Sequence, residues 1–190
     1  PYTCFEKEEK NPFKDHFEGR ITIEAGAALF YLVQGGNIEK MLYRLKYQNK
    51  SQIGVQQGEF YSYILKNSIN FRNIEGIVPV PLHPKKERKR GYNQSERFAY
   101  GLHKGLNIPV LNKAILREKF TKTQTRMDRI QRLKNTENAF RIGDGESIKG
   151  KHVLLVDDVL TTGATLEACA IQLLKIEGVK ISMATIAMGT

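Results

Sequence analysis

The apolar residues of this sequence recur in short blocks whose spacing predicts helices and strands. One block begins after Asn37, interpreted as an N-cap, and Lys46 ends it. Its apolar positions follow the i, i+3, i+4, i+7 spacing of a helix with one buried face: Ile38, Met41, Leu42 and Leu45. A second helix is predicted over residues 54–68. Residues 76–81 then have the pattern of a short buried strand that ends in a proline-marked loop.

The second half of the sequence predicts strands connected by helices. Residues 93–106 have the pattern of a helix, and residues 109–116 supply one or two short strands. The continuous apolar run 153–156, a helical stripe over 166–174 and a strand over 179–187 then predict a right-handed βαβ crossover. The predicted fold class is therefore α/β, with a mainly parallel central sheet flanked by helices.

Two polar segments are not assigned to the core. Residues 1–20 lack periodicity and are predicted to be extended, within a lead-in segment over residues 1–35. Residues 118–135 are too charged for a core element, so we predict a flexible loop that runs into a short helix. A length of 190 residues fits a single domain over residues 1–190.

The formal net charge of +10 indicates an anionic partner, without distinguishing nucleic acid from a small polyphosphate. The basic residues concentrate in 85–90 and in 117–134. A run of charge is also typical of a solvated face, but each of these runs follows a predicted strand, where α/β sheets carry their ligand loops.

The sequence gives no sign of a membrane segment or of a cysteine framework. No apolar run approaches the roughly 20 residues that span a bilayer, and the start of the sequence lacks a signal pattern. We therefore expect a soluble, cytoplasmic protein with no membrane partner. Cys4 is assigned to a tail and Cys169 to the core, and without a CxxC pair they encode neither a disulfide framework nor a zinc site.

The segment between the strand 153–156 and the helix that follows it has the chemistry of a phosphate site. A helix start exposes backbone N–H groups and carries partial positive charge, so it binds phosphate without a lysine. Thr161, Thr162 and Thr165 add hydroxyl donors, and Gly163 allows the backbone to approach the anion closely. The segment therefore predicts a cradle for a monophosphate.

Asp157 and Asp158 directly precede this loop. Carboxylates beside a phosphate repel it unless they face hydrogen-bond donors or positive charge, and a ribose diol, with or without Mg²⁺, meets that condition. The structural alternative is an ordinary helix start with two acidic residues. The sequence contains neither G-x-x-x-x-G-K-[ST] nor G-x-G-x-x-G, which disfavours a P-loop enzyme or a Rossmann dehydrogenase. A 5-phosphorylated ribose fits both halves of the segment.

These residues resemble a known family. Residues 153–165 match, without a gap, the acid-threonine segment of type I phosphoribosyltransferases. Residues 79–84 and 90–95 are similar to the signature of the ComF-type competence phosphoribosyltransferases, and the similarity extends from Ile38 onward. Further residues fall at that family's spacing: Arg117, Thr121, Gln124, Arg129, Arg132, Asn135 and Phe140.

The resemblance implies a type I phosphoribosyltransferase fold with a flexible hood, which binds phosphoribosyl pyrophosphate (PRPP) with Mg²⁺. It implies that Asp157 and Asp158 hold the ribose hydroxyls, with Mg²⁺ held mainly by the ligand near them and no direct protein ligand. The residues implied for the 5-phosphate are Thr161, Thr162, Gly163, Ala164 and Thr165.

The resemblance also implies a pyrophosphate loop, which consists of Leu82, His83, Pro84 and Lys85. Its backbone N–H groups would contact pyrophosphate, across a strained or cis peptide, or the segment is an ordinary proline turn. For His83, a structural and a catalytic role both stay open. Members of this family often begin with a cysteine-rich zinc ribbon. That ribbon is either outside this sequence or absent from this member, and we predict no zinc.

The implied reaction displaces pyrophosphate from the anomeric carbon of ribose by a nitrogen nucleophile, for which the sequence names no acceptor. Basic side chains would stabilise the charge on the leaving group, and arginine suits this because it pairs with two phosphate oxygens. The arginines assigned to catalysis are Arg88, Arg90, Arg129 and Arg132. The oligomeric state is not predicted.

Two alternatives to a transferase stay open at the level of sequence. One is a module that senses PRPP without turning it over, because a fold does not guarantee its chemistry. The other is nucleic-acid binding, suggested by the charge and by the family's association with DNA uptake. Only Tyr92 and Phe120 are interleaved with the basic runs, which argues against direct nucleic-acid binding. The resemblance suggests the DNA-uptake machinery as a protein partner.

Overall fold

The computed structural model of the protein describes residues 1–118 and 139–189. Short 3₁₀ turns occur at Phe5–Lys7 and Ile69–Phe71. The α-helices of the described residues, α1 to α6, are Pro12–Asp15, Asn37–Tyr47, Gln52–Lys66, Pro84–Arg90, Gln94–Leu106 and Ala164–Leu173. The β-strands, β1 to β6, are Gly26–Leu32, Gly76–Pro79, Ile115–Arg117, Phe140–Ile142, His152–Leu160 and Lys180–Gly189.

Four strands form a central sheet in the order β1-β6-β5-β2, and every pairing in it is parallel. Val153–Val156 of β5 are all fully buried. Consecutive strand residues point to opposite faces, so both faces of the sheet are covered here, as is usual for parallel sheets. The predicted α/β class, with a parallel central sheet flanked by helices, is confirmed.

Helix α5 is set against the sheet and against α3 by unusually close packing. A Cβ atom on Gly58 would lie 2.3 Å from the carbonyl oxygen of Phe98, and one on Gly101 would lie 2.1 Å from that of Val55. These distances are far below van der Waals contact, so the two helices approach at backbone distance. The close packing fixes where the N-terminus of α5 meets the sheet.

The N-terminal segment is part of the core, so the prediction of an extended lead-in over residues 1–20 is wrong. Phe13 and Phe17 are fully buried. Asn11 caps α1 and donates hydrogen bonds to the backbone carbonyls of Phe5, at 3.1 Å, and Gly26, at 3.0 Å. Strand β1 also lies inside the predicted lead-in 1–35, where it pairs with β6. Single aromatic anchors spaced among polar residues produce no periodic signal.

Three boundaries differ from the predictions. Helix α2 is confirmed, but its N-cap is Gly36 and not Asn37. The basic run 85–90 was predicted as a loop and forms α4, because Pro84 suits the first helical position and the residues after it are good helix formers. Strand β5 continues to Leu160, so the two acids belong to the strand.

The predicted loop 118–135 lies, apart from Glu118, outside the described residues.

Within the described residues, none of the helices has the length and apolar character needed to cross a membrane.

Candidate functional site

The N-terminus of α5 is tied to the end of β2 by one side chain. Asn93 is the N-cap of α5, and its side-chain oxygen accepts a hydrogen bond of 3.1 Å from the Ser95 N–H. Its amide nitrogen donates to the Val80 carbonyl at 3.0 Å. The cap therefore places Gln94 and Ser95 beside the neighbouring strand β5, at the level of its acids.

Asp157 is held by its own strand and by α5. Its Oδ1 accepts hydrogen bonds from the Ser95 hydroxyl at 2.6 Å and from the Asp158 N–H at 2.8 Å. Burial, together with the negative charge of Asp158, raises the pKa of Asp157 from 3.8 to about 6. The Ser95 hydrogen bond and the positive charge of Lys46 oppose that shift.

Asp158 is held by two helices and is almost completely buried. Its Oδ2 accepts a hydrogen bond of 3.2 Å from Gln94 Nε2. The same oxygen forms a 3.1 Å ion pair with Nζ of Lys46 on α2. Burial lowers the pKa of Lys46, but the charge of Asp158 and its hydrogen bond outweigh burial and leave that pKa raised.

Each acid uses one carboxylate oxygen for internal contacts and leaves the other without a hydrogen bond in the described part of the chain. The second oxygen of Asp157 and the second oxygen of Asp158 are both accessible to solvent. Two acceptors at the end of one strand can therefore meet donors from outside the protein. Adjacent hydroxyl groups are donors of the matching kind.

The loop after β5 presents donors that no group in the described part of the chain uses. Within the described residues, the hydroxyls of Thr161, Thr162 and Thr165 form no hydrogen bond. Gly163 is the N-cap of α6 and supplies no side-chain cap, and the N–H groups of Ala164, Thr165 and Leu166 have no acceptor among the described residues. These residues and Asp157 line a cavity of about 30 Å³. The structure thus brings Asp157 together with the loop, whereas Asp158 lies outside that lining.

The N-terminal segment supports this loop from behind. Gly163 has a φ of +71°, and a Cβ added there would lie 2.7 Å from Cδ2 of His16 and 3.1 Å from Cε1 of Phe17. Arg20 forms an ion pair with the buried Glu167 in the first turn of α6. Sequence reasoning missed these contacts, because it placed the segment outside the core.

The segment Leu82 to Lys85 leads into α4. His83 is buried, and its Nδ1 accepts a hydrogen bond of 3.1 Å from the Lys85 N–H, so it caps the helix. The peptide bonds of the described residues are all trans, and no residue of this segment has a positive φ. The geometry gives His83 a structural role as the cap of α4, and a contact of the segment's backbone with pyrophosphate stays a prediction. The segment, apart from His83 and Lys85, borders a cavity of about 420 Å³ that Arg117 and Glu96 also line.

No contact among the described residues brings the arginines assigned to catalysis to Asp157 or Asp158. Arg88 is exposed on α4. The guanidinium of Arg90 lies 5.5 Å from the ring centre of Tyr47, on α2. Arg129 and Arg132 lie outside the described residues. Another basic residue, Arg117, lies near Asp157: burial lowers the pKa of Arg117, and the negative charge of Asp157 opposes this shift.

Lys46 and Gln94 are functional candidates that sequence reasoning did not assign. Lys46 continues the spacing of the apolar stripe on α2, and a charge on that face indicates a buried partner. Gln94 belongs to the segment 90–95 that resembles the family signature. The identity of their shared partner, Asp158, depends on the tertiary fold.

A larger apolar cavity of about 480 Å³ lies elsewhere in the described structure. Its lining includes Tyr2, Leu29, Phe60 and Tyr63, none of which belongs to the acid pair or to the loop. The candidate site is therefore not the larger of these cavities. It is identified by the hydrogen-bonding groups near the end of β5.

Comparisons with known proteins identify the domain in which the acids and the loop lie. A model of the phosphoribosyl transferase domain matches residues 93–189, slightly more than half of the chain. That range contains α5, both acids and the loop after β5. It excludes Lys46 and the segment that supports Gly163.

Three named relatives are similar over most or about half of the chain. Competence protein F of Haemophilus influenzae is 33% identical over 130 residues, which are 66% of this chain and 57% of that protein. DNA utilization protein YhgH of Escherichia coli K12 is 30% identical over 144 residues, 73% of this chain and 61% of that protein. Competence protein ComFC of Streptococcus pneumoniae is 32% identical over 107 residues, 56% of this chain and 44% of that protein.

The chain thus spans about three fifths of the length of the first two relatives. Among solved structures, adenine phosphoribosyltransferase from Leishmania tarentolae is similar with a TM-score of 0.48 and 16% identity, over 83% of this chain and 77% of that one. On the domain match and the named relatives, the chain belongs to the phosphoribosyltransferase family, in its ComF-type competence branch.

Proposed function

We propose that this protein binds phosphoribosyl pyrophosphate and transfers the phosphoribosyl group to a nitrogen nucleophile, with release of pyrophosphate. One observation carries the proposal: two acids near the end of β5 have unused oxygens, and the loop after the strand has hydroxyl and N–H donors that are unused among the described residues. The acids suit the ribose diol and the loop suits the 5-phosphate. A sugar that carries both groups engages both halves at once.

The residues of the chain bind and orient the sugar in this proposal. The free oxygens of Asp157 and Asp158 accept hydrogen bonds from the ribose hydroxyls, while Ser95 and Gln94 keep the carboxylates in place. Thr161 to Thr165 hold the 5-phosphate through hydroxyl and backbone donors. The anomeric carbon is thereby fixed relative to the end of the sheet, and orientation of this kind lowers the barrier to substitution.

We propose that Mg²⁺ binds at this site together with the substrate. Within the described residues, no group of three or more His, Cys, Asp or Glu side chains is placed to hold a metal ion. Mg²⁺ is commonly bound by one or two carboxylates plus substrate phosphates, and Asp157 and Asp158 lie where such a complex would bind. When bound, it would neutralise charge on the pyrophosphate.

The proposed reaction breaks the bond between the anomeric carbon and the pyrophosphate oxygen, and the bonding pair leaves with pyrophosphate. The nucleophile's nitrogen supplies the pair for the new C–N bond and then loses a proton to solvent or to a base. Among the described residues, the backbone around Leu82 to Lys85 and the side chains of Arg88 and Arg90 are proposed to face the leaving group. Arg129 and Arg132 retain this assignment as predictions from the sequence.

The names of the relatives support a cellular context. They are called competence and DNA utilization proteins, so we propose that this chain also acts in DNA uptake or use, through the sugar phosphate chemistry of its site. The acceptor is proposed only as a nitrogen nucleophile.

Two measurements test the proposal. Calorimetric titration of the protein with phosphoribosyl pyrophosphate and Mg²⁺ is expected to show saturable binding at one site. Absence of binding would contradict both the binding and the transfer. Pyrophosphate release is then measured against a panel of nitrogenous bases and amines. Release that depends on one of them supports transfer, whereas binding without any release supports a sensing module instead.

A further inference from the structure

Lys46 comes from a part of the chain that lies outside the matched phosphoribosyl transferase domain, yet it contacts that domain's second acid. It lies on α2, and its Nζ is 3.1 Å from Oδ2 of Asp158. Its side chain keeps 22% of its accessible surface, against 7% for that of Asp158. The ion pair is therefore largely shielded from solvent on both sides.

The contacts of Asp158 fix the plane of its carboxylate. Lys46 and Gln94 both donate to Oδ2, and in the described structure Oδ1 receives no hydrogen bond. Gln94 is itself buried, and its Oε1 has no hydrogen-bond partner among the described residues. The carboxylate orients the Gln94 amide, because the opposite orientation would place Oε1 of Gln94 against Oδ2 of Asp158, and both atoms are acceptors. Two donors on one oxygen direct the other oxygen outward.

Charge balance gives Lys46 a second effect. Asp157 and Asp158 are adjacent, and the negative charge of Asp158 adds to burial in raising the pKa of Asp157. The groups that face Asp157 from the packed elements are Asp158, Lys46, Ser95, Arg117 and Cys169. Of these, Lys46 also forms an ion pair with the second acid, so within residues 1–118 and 139–189 it is the cation that contacts Asp158.

We propose that Lys46 is a positioning residue for the ribose diol, which acts through Asp158 by holding its Oδ2 and leaving its Oδ1 to accept a ribose hydroxyl. The inference rests on the proposed function, because it assigns the diol to the acids. It adds a part of the site that the matched domain does not contain. Lys46 itself does not touch the sugar in this arrangement.

A double-mutant cycle tests this role with ribose 5-phosphate as the probe. Lys46→Met keeps the apolar length of the side chain and removes the charge, and Asp158→Asn removes the charge of its partner. Each single variant is expected to bind ribose 5-phosphate about tenfold more weakly, the lower end for charge-assisted hydrogen bonds. The double variant is expected to bind like Asp158→Asn alone, because Lys46 acts through the acid.

The controls separate positioning from general effects. Lys40→Met removes the same charge from an exposed site on the same helix and is expected to bind ribose 5-phosphate like the parent. Inorganic phosphate has no diol, so its affinity is expected to be the same for the parent and for Lys46→Met. Lys46→Arg keeps a cationic donor and is expected to recover most of the lost affinity for the sugar phosphate.

Lys46→Met leaves a buried acid without its partner and lowers stability. If that variant does not fold, Lys46→Gln, which keeps a neutral donor, takes its place in the cycle. The inference is overturned if loss of the Lys46 side chain weakens sugar binding equally with Asp158 and with Asn at that position, or weakens phosphate binding as much as sugar binding. A parent protein that binds no sugar phosphate would overturn the proposed function itself, which is a different outcome.

Discussion

Single residues at the end of β5 divide their hydrogen-bonding capacity between the protein and the open site. One oxygen of Asp157 and one of Asp158 are used by Ser95, Gln94, Lys46 and the backbone, and the others are left over. These leftover oxygens are open to solvent, and the unused donors of the loop lie nearby. Acceptors and donors in this arrangement suit a ligand that carries both kinds of group.

The raised pKa of Asp157 predicts how stability depends on pH. Its folded-state pKa of about 6 lies above the ordinary value of 3.8, so the folded protein binds a proton more readily between these values. The contribution of Asp157 to the free energy of unfolding therefore falls as pH rises from about 4 to about 6. Asp157→Asn, which cannot ionise, is expected to gain about 2 kcal/mol relative to the parent between pH 4 and pH 7.

Urea denaturation at a series of pH values measures this difference. The matched control is Asp15→Asn, which removes the same charge from an exposed position on α1. A difference between Asp157→Asn and the parent that stays constant across this pH range would show that burial does not perturb this acid.

Gly163 is predicted to be intolerant of any side chain. Its φ of +71° strains other residues, and a Cβ would overlap His16 and Phe17. Gly163→Ala is expected to cost about 2 to 4 kcal/mol of unfolding free energy from strain and overlap together. It is also expected to weaken phosphate binding, because the loop must move.

Gly19→Ala is the control for Gly163→Ala. Gly19 has a similar φ of +73°, but a Cβ there meets nothing within 4 Å, so only the backbone strain remains. Equal costs for the two variants, measured by urea denaturation, would contradict the close support of the loop by the N-terminal segment.

Sequence reasoning identified the acids and the loop because both lie in one continuous segment, residues 153–165. It did not identify Lys46 as the partner of Asp158, or the contact of His16 with Gly163. These pairs are distant in sequence, and only the packing of α1 and α2 against the sheet brings them together. A local motif contains no information about such partners.

Among the helices, α5 makes contacts that fix the positions of both acids. Its N-terminus is capped by Asn93 and its length is packed against α3 through glycines. A shift of this helix would move Gln94 and Ser95 away from β5. Close helix packing is therefore a functional requirement here as well as a structural one.

Gly101→Ala tests the close packing of α3 and α5. Alanine is the better helix former by about 1 kcal/mol, but the added Cβ would lie 2.1 Å from the Val55 carbonyl oxygen. The overlap is expected to dominate, with a net loss of about 1 to 3 kcal/mol. Thermal and urea denaturation measure the change. A stabilised variant would mean that the helices are farther apart than described.

The elements that sequence patterns predicted well are those with periodic apolar faces or continuous apolar runs. Helices α2, α3 and α5 and strands β2, β5 and β6 lie close to their predicted positions. Helix α4 was missed because it has no buried residue and hence no apolar period. Strand β1 was missed because its alanines and its position near the start of the chain resembled neither pattern.

At the scale of the whole molecule, the chain before residue 93 completes the sheet. Strands β1 and β2 flank β6 and β5 on either side, and both lie outside the matched domain. The same region supplies Lys46, the support of Gly163 and helix α3. The site is therefore a product of nearly the whole chain.

This arrangement predicts that a fragment over residues 93–190 does not fold. Without β1 and β2, the paired strands β5 and β6 would expose both edges and much of their buried apolar surface. Circular dichroism and amide NMR spectra are expected to show an unfolded or aggregated fragment. A folded fragment with a cooperative thermal transition would contradict the assignment of residues 1–92 to the same core.

The parallel sheet and its family were predictable at this scale, because the βαβ pattern and the acid-threonine segment occur together at the end of the chain. The order of the strands was not, since two of the four come from the first 80 residues and only one of those two was recognised.

Calorimetric titration of the parent, Asp157→Ala and Asp158→Ala with phosphoribosyl pyrophosphate and Mg²⁺ tests the central claim most directly. Asp144→Ala, an exposed acid between β4 and β5, is the control and is expected to bind like the parent. Each of the two site variants is expected to lose about 1.5 to 3 kcal/mol of binding free energy, the range for hydrogen bonds to charged groups. Binding by both variants with the affinity of the parent would contradict the assignment of the ribose to this acid pair.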